Sequence, residues 1–197
     1  PVSLFIDPGY AGAYAVLACQ VNGEQVYIYD EIYERGMLTE DIITIVQHKP
    51  WWNLVAGGVV DIAALSHQAM PAVIEVWQKE AGLKLDTNKV GVNEGIERLK
   101  TFLKTNPLTG RAYLQISPRC KGVISEFGGC PNPFTGQPAV YKWKTDRSGV
   151  IVGNAPEDAN NHSIKALTYG LVSKFGYARS SYKVSSSVYN YITGKGK

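Results

Sequence analysis

The chain has 197 residues, of which 45% are hydrophobic and 19% are charged. This composition is typical of a globular protein and excludes disordered and collagen-like chains. The length suits one compact domain, and no apolar run reaches the roughly 18 residues of a membrane span, so no membrane partner is expected. The chain lacks a starting Met and enters a strand pattern without a basic, cleavable leader. We therefore expect a piece or a processed product of a longer protein.

The charges are unevenly distributed along the chain. No Asp or Glu occurs from Ala159 to Lys197, where six of the 20 Lys and Arg residues lie. Residues 1–158 therefore hold 14 basic and 17 acidic residues, a net charge of −3 within an overall +3. The basic C-terminal segment predicts contact with a polyanion such as nucleic-acid backbone, and a merely solvated tail explains the charge equally well.

The first third of the chain predicts three antiparallel strands, a helix and a central parallel strand. The first three strands are expected over residues 2–6, 13–21 and 25–29. Asn22-Gly23 between the last two is a strong hairpin signal. Thr39 is expected to cap the first helix. The fourth strand, over residues 54–60, is apolar on both faces and is therefore expected beside the first strand and parallel to it.

Helices and strands alternate in the rest of the chain. Helices are expected over residues 67–80, 96–104 and 160–175, strands over 90–92 and 112–116, and a β-hairpin over 141–144 and 150–152. Three Gly and three Pro in residues 127–140 predict a loop, and Gly176 ends the last helix. The pattern indicates one α/β domain over residues 1–176, with helices on both faces of the sheet, and a basic, flexible tail over 177–197.

Acidic residues end the two strands that we expect at the sheet centre. Asp7 ends the first strand and Asp61 the fourth, at the edge where open α/β sheets bind their ligands. Asp158 and His162 lie at the start of the last helix. Each residue alone is better explained by local structure, but the combination predicts a site for Mg²⁺ or Mn²⁺. Two such ions can hold the attacking water and the leaving oxygen of a phosphoryl transfer.

Stretches along nearly the whole chain resemble the nuclease domain of viral large terminase subunits, a branch of the ribonuclease H-like superfamily. The matching stretches are residues 5–9, 30–33, 58–61, 95–96, 124–127, 141–143 and 156–169. The last of them is the most specific, and the first alone is weak. The resemblance implies a ribonuclease H-like mixed sheet, with three antiparallel strands followed by parallel strands, flanked by helices.

The resemblance also implies a function. Domains of this family are two-metal endonucleases that cut duplex DNA during viral genome packaging, which takes place in the host cell cytoplasm. Asp7 and Asp61 match the first two acids of the family motif. The implied partners are duplex DNA, a packaging ATPase domain N-terminal to these residues, the small terminase subunit and the portal.

This chain departs from the family pattern at three positions. Asn161 and Lys165 stand where the family commonly has two acids near the last helix, and Ala13 replaces a further acid. We expect Asp158 to take over as a ligand. His162 is expected to bind metal as a neutral imidazole or to donate to a substrate phosphate, and packing against the sheet is the structural alternative.

Basic residues predicted to contact DNA lie on the late hairpin, on the last helix and in the tail. They are Lys142, Lys144, Arg147, Lys165, Arg179 and Lys183. The hairpin cations alternate with Trp143, which suits contact with a DNA groove or backbone. A place for Trp143 in the core is an equal alternative. Lys165 is expected to contact the scissile phosphate or to neutralise the clustered carboxylates.

Other functions fit parts of the pattern. A junction resolvase or a transposase-type nuclease would share the metal site. A ribonuclease H-like domain that only binds DNA or a partner would explain the missing acids. A sugar-kinase-like ATPase shares the opening Asp-Gly pattern, but the accompanying phosphate-binding Gly segments are absent from this sequence. A P-loop of the form G-x-x-x-x-G-K-[ST] is also absent.

Overall fold

The computed structural model describes residues 1–65 and 71–178, which form a mixed sheet between two layers of helices. The sheet strands are β1 (Val2–Asp7), β2 (Tyr14–Asn22), β3 (Gln25–Glu34), β4 (Val55–Asp61), β5 (Leu85–Asn88) and β6 (Leu114–Ile116). Their order is β5-β4-β1-β2-β3-β6. The pairs β1–β2 and β2–β3 are antiparallel, and the pairs β1–β4, β4–β5 and β3–β6 are parallel. The predicted mixed sheet, with β4 parallel to β1, is confirmed.

Five helices cover the two faces of the sheet. They are α1 (Thr39–Gln47), α2 (Val73–Ala81), α3 (Val92–Leu103), α4 (Lys121–Glu126) and α5 (His162–Phe175). Side chains alternate between the faces along β1. Leu4 and Ile6 pack in one core cluster with α1 and α2, while Phe5 packs in the other with α3, α4 and α5. The sheet is therefore buried on both sides, as its apolar central strands predict.

Two predicted elements near the middle of the chain differ from the structure. Thr39 is the first residue of α1 rather than its cap, and the Leu38 N–H donates to Asp41 Oδ2 at 3.2 Å instead. The strand predicted over residues 90–92 is wrong, because the strand that pairs with β4 is Leu85–Asn88 and Val92 begins α3. The helix predicted from residue 67 begins at Val73, and residues 66–70 lie outside the described part.

Helix α5 lies directly on the central strands because of one glycine. A Cβ atom on Gly170 would lie 2.1 Å from Cδ2 of Phe5 on β1. Only a residue without a side chain permits this approach of helix to strand. Contacts of α5 with β1, β2 and β4 follow. They bring the first turn of α5 to the carboxyl edge of β1 and β4.

A separate antiparallel hairpin, formed by β7 (Trp143–Thr145) and β8 (Ile151–Pro156), confirms the predicted hairpin. No helix within residues 1–65 and 71–178 has the length and apolar character of a membrane span. The structure describes the predicted tail only as far as residue 178, so Arg179 and Lys183 lie outside the described residues.

Candidate functional site

Asp7 and Asp61 lie side by side at the carboxyl edge of the sheet. Each is the last residue of its strand, and the parallel register pairs Ile6 of β1 with Val60 of β4. Neighbouring strands are about 4.8 Å apart. Asp7 is buried and Asp61 is half-buried. Two carboxyl groups predicted from the sequence to meet at one edge therefore do so.

The imidazole of His162 holds the Asp7 carboxylate. Its Nδ1 atom lies 2.8 Å from Asp7 Oδ2. The opposite edge of the ring lies against the turn after β1, where a Cβ atom on Gly12 would be 2.2 Å from Nε2. Burial raises the pKa of Asp7, and the hydrogen bond and charge of His162 oppose this rise. The first residue of α5 is thus joined to the last residue of β1.

Tyr169 holds the second carboxylate from the same face of α5. Its hydroxyl donates to Asp61 Oδ2 at 3.0 Å, and the backbone N–H of Ala63 donates to Oδ1 at 3.3 Å. Burial raises the pKa of Tyr169, as do the charges of Asp7 and Asp61, so the hydroxyl remains a donor. The sequence analysis gave Tyr169 no role. Its spacing of seven residues from His162, two helical turns, was the available signal.

Asp158 is paired with a cation rather than with the other acids. Its side chain is 85% exposed, and its Oδ1 atom accepts from Lys165 Nζ at 2.8 Å and from Asn161 Nδ2 at 3.0 Å. The hydrogen bond from Lys165, followed by that from Asn161, lowers the pKa of Asp158. The charge of Lys165 also lowers the pKa of Asp7. The ammonium group therefore lies within electrostatic reach of both carboxylates.

The described side chains suit one hard cation better than two. Among residues 1–65 and 71–178, no group of three or more His, Cys, Asp or Glu side chains could hold a metal ion. Asp7 and Asp61 offer two neighbouring carboxylates, and Mg²⁺ typically binds through one or two carboxylates together with water. The metal-ligand roles predicted for Asp158 and His162 stay predictions.

A buried glutamate that the sequence analysis missed fixes the start of α5. Glu126, the last residue of α4, is fully buried. It accepts hydrogen bonds from the backbone N–H groups of Ile164 at 2.8 Å and Ser163 at 3.2 Å, and from the Tyr33 hydroxyl at 3.0 Å. A carboxylate there satisfies free amide groups of the first helical turn and favours the helix dipole. Burial raises the pKa of Glu126 to about 7.

A second buried acid, Glu31 on β3, fixes α4 in the same way. It accepts hydrogen bonds from the backbone N–H groups of Gly122 and Val123, both at 2.8 Å, and from the Ser163 hydroxyl at 2.9 Å. Burial raises the pKa of Glu31. The predicted third strand stopped at residue 29, so the inward position of Glu31 was not visible in the sequence. Glu31 and Glu126 together connect the sheet to the first turn of α5.

The hairpin borders a groove that leads to the carboxylates. A cleft of about 220 Å³ between α3 and the hairpin is lined by residues that include Lys142, Trp143, Tyr141 and Ile164. A smaller pocket of about 30 Å³ shares Tyr141 and Ile164 and reaches Tyr169. Because the two cavities share lining residues, they form one groove. It runs from the hairpin to the side chain that holds Asp61.

The hairpin carries the predicted cations on its surface. Lys144 and Arg147 are exposed. Lys142 Nζ lies 3.8 Å from Glu157 Oε1, an exposed pair that leaves the ammonium group accessible. Trp143 is half-buried and lines the cleft, which is intermediate between the two positions considered from the sequence.

Solved structures of phage terminases share this architecture. The nuclease domain of the bacteriophage SPP1 large terminase (g2p), solved with bound Mn, aligns with a TM-score of 0.60 and 17% identity, covering 88% of this chain and 86% of that one. The P22 large terminase nuclease domain gives 0.56 and 15%, covering 89% and 81%. The large terminase of a thermophilic bacteriophage in complex with ADP gives 0.60 and 16%, covering 89% of this chain and 40% of that one.

No protein-family model and no curated protein matches the chain. At 15–17% identity the structural likeness establishes the fold. The chain has the ribonuclease H-like fold of large terminase nuclease domains, as the sequence predicts.

Proposed function

We propose that this chain is a metal-dependent nuclease that hydrolyses the backbone of duplex DNA. One observation carries the proposal: Asp7 and Asp61 end adjacent parallel strands, and His162 and Tyr169 hold them from one face of α5. Residues held by second contacts of this kind are typical of metal ligands. The fold of terminase nuclease domains supports the proposal, and the SPP1 domain with that fold was solved with bound Mn.

Mg²⁺ or Mn²⁺ bound by Asp7 and Asp61 would polarise the phosphate and lower the pKa of a water molecule. The reaction joins the oxygen of one water to phosphorus and breaks one phosphorus–oxygen ester bond, so that one product keeps the phosphate and the other a hydroxyl. His162 and Tyr169 keep the two carboxylates in position throughout. Fixed ligand geometry of this kind avoids reorganisation during the reaction.

DNA approaches along the groove beside the hairpin. Lys142, Lys144 and Arg147 provide positive charge at one end, and Lys165 lines the pocket at the other. Phosphate contacts from Lys and Arg position a protein on DNA without reading its sequence. We expect little sequence preference in cutting. Arg179 and Lys183 remain proposed contacts, outside the described residues.

We also propose that the chain acts in viral genome packaging in the host cytoplasm, together with a packaging ATPase domain, the small terminase subunit and the portal. The likeness to 40% of the thermophilic phage's large terminase, which was solved with ADP, supports an ATPase partner in the same protein. The likeness to the SPP1 and P22 domains supports the packaging role.

Plasmid cleavage tests the proposed function. Supercoiled plasmid incubated with the chain should become nicked and then linear with Mg²⁺, and at least as fast with Mn²⁺, which tolerates irregular ligand sets. Excess EDTA should stop cutting, and Asp61→Asn should abolish it while leaving the fold intact. Asp86→Asn on the neighbouring strand β5, where the side chain is exposed, is the matched control and should cut at the wild-type rate. Undiminished cutting in EDTA refutes the metal-dependent mechanism.

A second candidate is a domain of the same fold that binds DNA or a partner without cutting it. The pairing of Asp158 with Lys165 favours it, because this pairing leaves Asp7 and Asp61 as the only two carboxylates at the described edge. DNA binding with no cutting under any of these metal conditions supports this candidate.

A further inference from the structure

We propose that Lys165 replaces a second metal ion, so that the site works with one divalent ion and one fixed ammonium group. This inference rests on the proposed nuclease function and specifies its charge arrangement. It differs from the two-ion site expected from the sequence, and the number of bound ions distinguishes the two.

The position of Lys165 on α5 is the first observation. It follows His162 by three residues and precedes Tyr169 by four, so the three side chains share one face of the helix. The outer two hold Asp7 and Asp61. Lys165 therefore projects from the turn between the two side chains that hold the carboxylates.

The ion pair of Lys165 is the second observation. Its Nζ atom lies 2.8 Å from Asp158 Oδ1, and its side chain is 30% exposed whereas that of Asp158 is 85% exposed. The same carboxylate oxygen accepts from Asn161. Asp158 is thus engaged by two donors on the side that faces α5. A second divalent ion at Asp158 would have to displace an ammonium group that already neutralises it.

The chemistry of an ammonium group suits this position. It is a compact positive charge with three N–H donors and no acceptor. One donor is used by Asp158, which leaves two for non-bridging oxygens of a phosphate. Lys165 also lines the pocket that Tyr169 borders, on the route from the hairpin to the carboxylates. The group keeps its proton and stabilises the negative charge that grows on the phosphate during hydrolysis.

The ion pair could instead serve only to stabilise the first turn of α5. Charge, metal number and activity separate the two roles. A structural role predicts that removal of Lys165 lowers stability alone. A catalytic role predicts that cutting at saturating Mn²⁺ falls while the single ion remains bound.

The test is the number of Mn²⁺ ions bound, measured by titration calorimetry and by the EPR signal of free Mn²⁺. The wild-type chain and Lys165→Met should each bind one ion, and Asp61→Asn none. Lys165→Asp should bind two, because it exchanges the cation for a carboxylate. In parallel, Lys165→Met should cut DNA about 100-fold more slowly at saturating Mn²⁺. Lys165→Arg should recover part of this rate because it restores the charge.

Lys174→Met, on the exposed last turn of the same helix, is the matched control and should leave metal number and cutting rate unchanged. Two ions on the wild-type chain, or one ion on Lys165→Asp, overturn the inference while the nuclease function stands. Wild-type cutting by Lys165→Met also overturns it. A wild-type chain that binds no Mn²⁺ and cuts no DNA refutes the nuclease function itself.

Discussion

Gly12 lies directly against the imidazole of His162, so close that a Cβ atom at residue 12 would be 2.2 Å from Nε2. Gly12→Ala should therefore push the ring away and break the 2.8 Å contact between Nδ1 and Asp7. We expect metal affinity to fall by about tenfold, the usual effect of losing a group that orients a ligand. Mn²⁺ titration of the variant measures this.

A double-mutant cycle shows whether the effect of Gly12→Ala passes through the ring. In a His162→Ala background the added methyl group meets no imidazole, so Gly12→Ala should have no further effect. Equal losses of affinity in both backgrounds would mean that the glycine acts on the turn itself and not on His162.

Tyr169→Phe removes one hydroxyl and leaves the packing of α5 in place. The loss of the 3.0 Å bond to Asp61 should cost about 1 kcal/mol of unfolding free energy and weaken Mn²⁺ binding about tenfold. Tyr177→Phe is the matched control, because its hydroxyl donates to the Lys89 carbonyl at 2.9 Å away from the site. If both variants bind Mn²⁺ equally well, Tyr169 does not orient a metal ligand.

The two site acids and the two side chains behind them differ in how visible they are in the sequence. Asp7 and Asp61 end apolar runs, and the topology rules that place such runs side by side are general. Tyr169 contacts Asp61 across 108 residues of sequence, and Glu126 contacts the first turn of α5 from 37 residues away. No local pattern specifies a contact of this kind, because it depends on how the helices pack.

The fold shows the same division between local and tertiary causes. The strands β1 and β4 and the late hairpin follow from apolar runs and turn residues, and were predicted. The edge strand β5, Leu85–Asn88, has only one buried residue. It was missed in favour of the more apolar residues 90–92. The short helix α4 was also missed, since Glu31 on β3 provides its N-terminal hydrogen bonds.

Glu126 should make the stability of the fold depend on pH. Burial raises its pKa from 4.5 to about 7 in the folded protein. The folded state therefore binds the proton more tightly than the unfolded state, and the stability that this adds is complete below about pH 4.5. It is lost as the pH rises through about 7, on the order of 3 kcal/mol in all.

Urea unfolding of wild-type protein and Glu126→Gln between pH 4.5 and 8 measures this loss. The wild-type curve should fall with rising pH relative to that of the variant, which has no carboxyl group to titrate at this position. Glu97→Gln, an exposed substitution on α3, should follow the wild type. Parallel curves for wild type and Glu126→Gln would show that burial does not shift this carboxyl group.

The hairpin cations should appear in the salt dependence of DNA binding. Lys144→Ala combined with Arg147→Ala removes two exposed positive charges. The slope of log K against log salt on duplex DNA should become shallower by about 2. Lys79→Ala with Lys84→Ala, at and beyond the end of α2, changes the net charge equally and should leave the slope unchanged. An unaltered slope in the hairpin variant would exclude these two phosphate contacts.

Anomalous scattering from a crystal grown with Mn²⁺ tests most directly whether Asp7 and Asp61 form a metal site. The measurement gives the position, the ligands and the number of ions together. We predict one anomalous peak in contact with both carboxylates, with His162 and Tyr169 still bonded to them and Lys165 still paired with Asp158. The absence of a peak between Asp7 and Asp61 at saturating Mn²⁺ would contradict the proposed metal-dependent function.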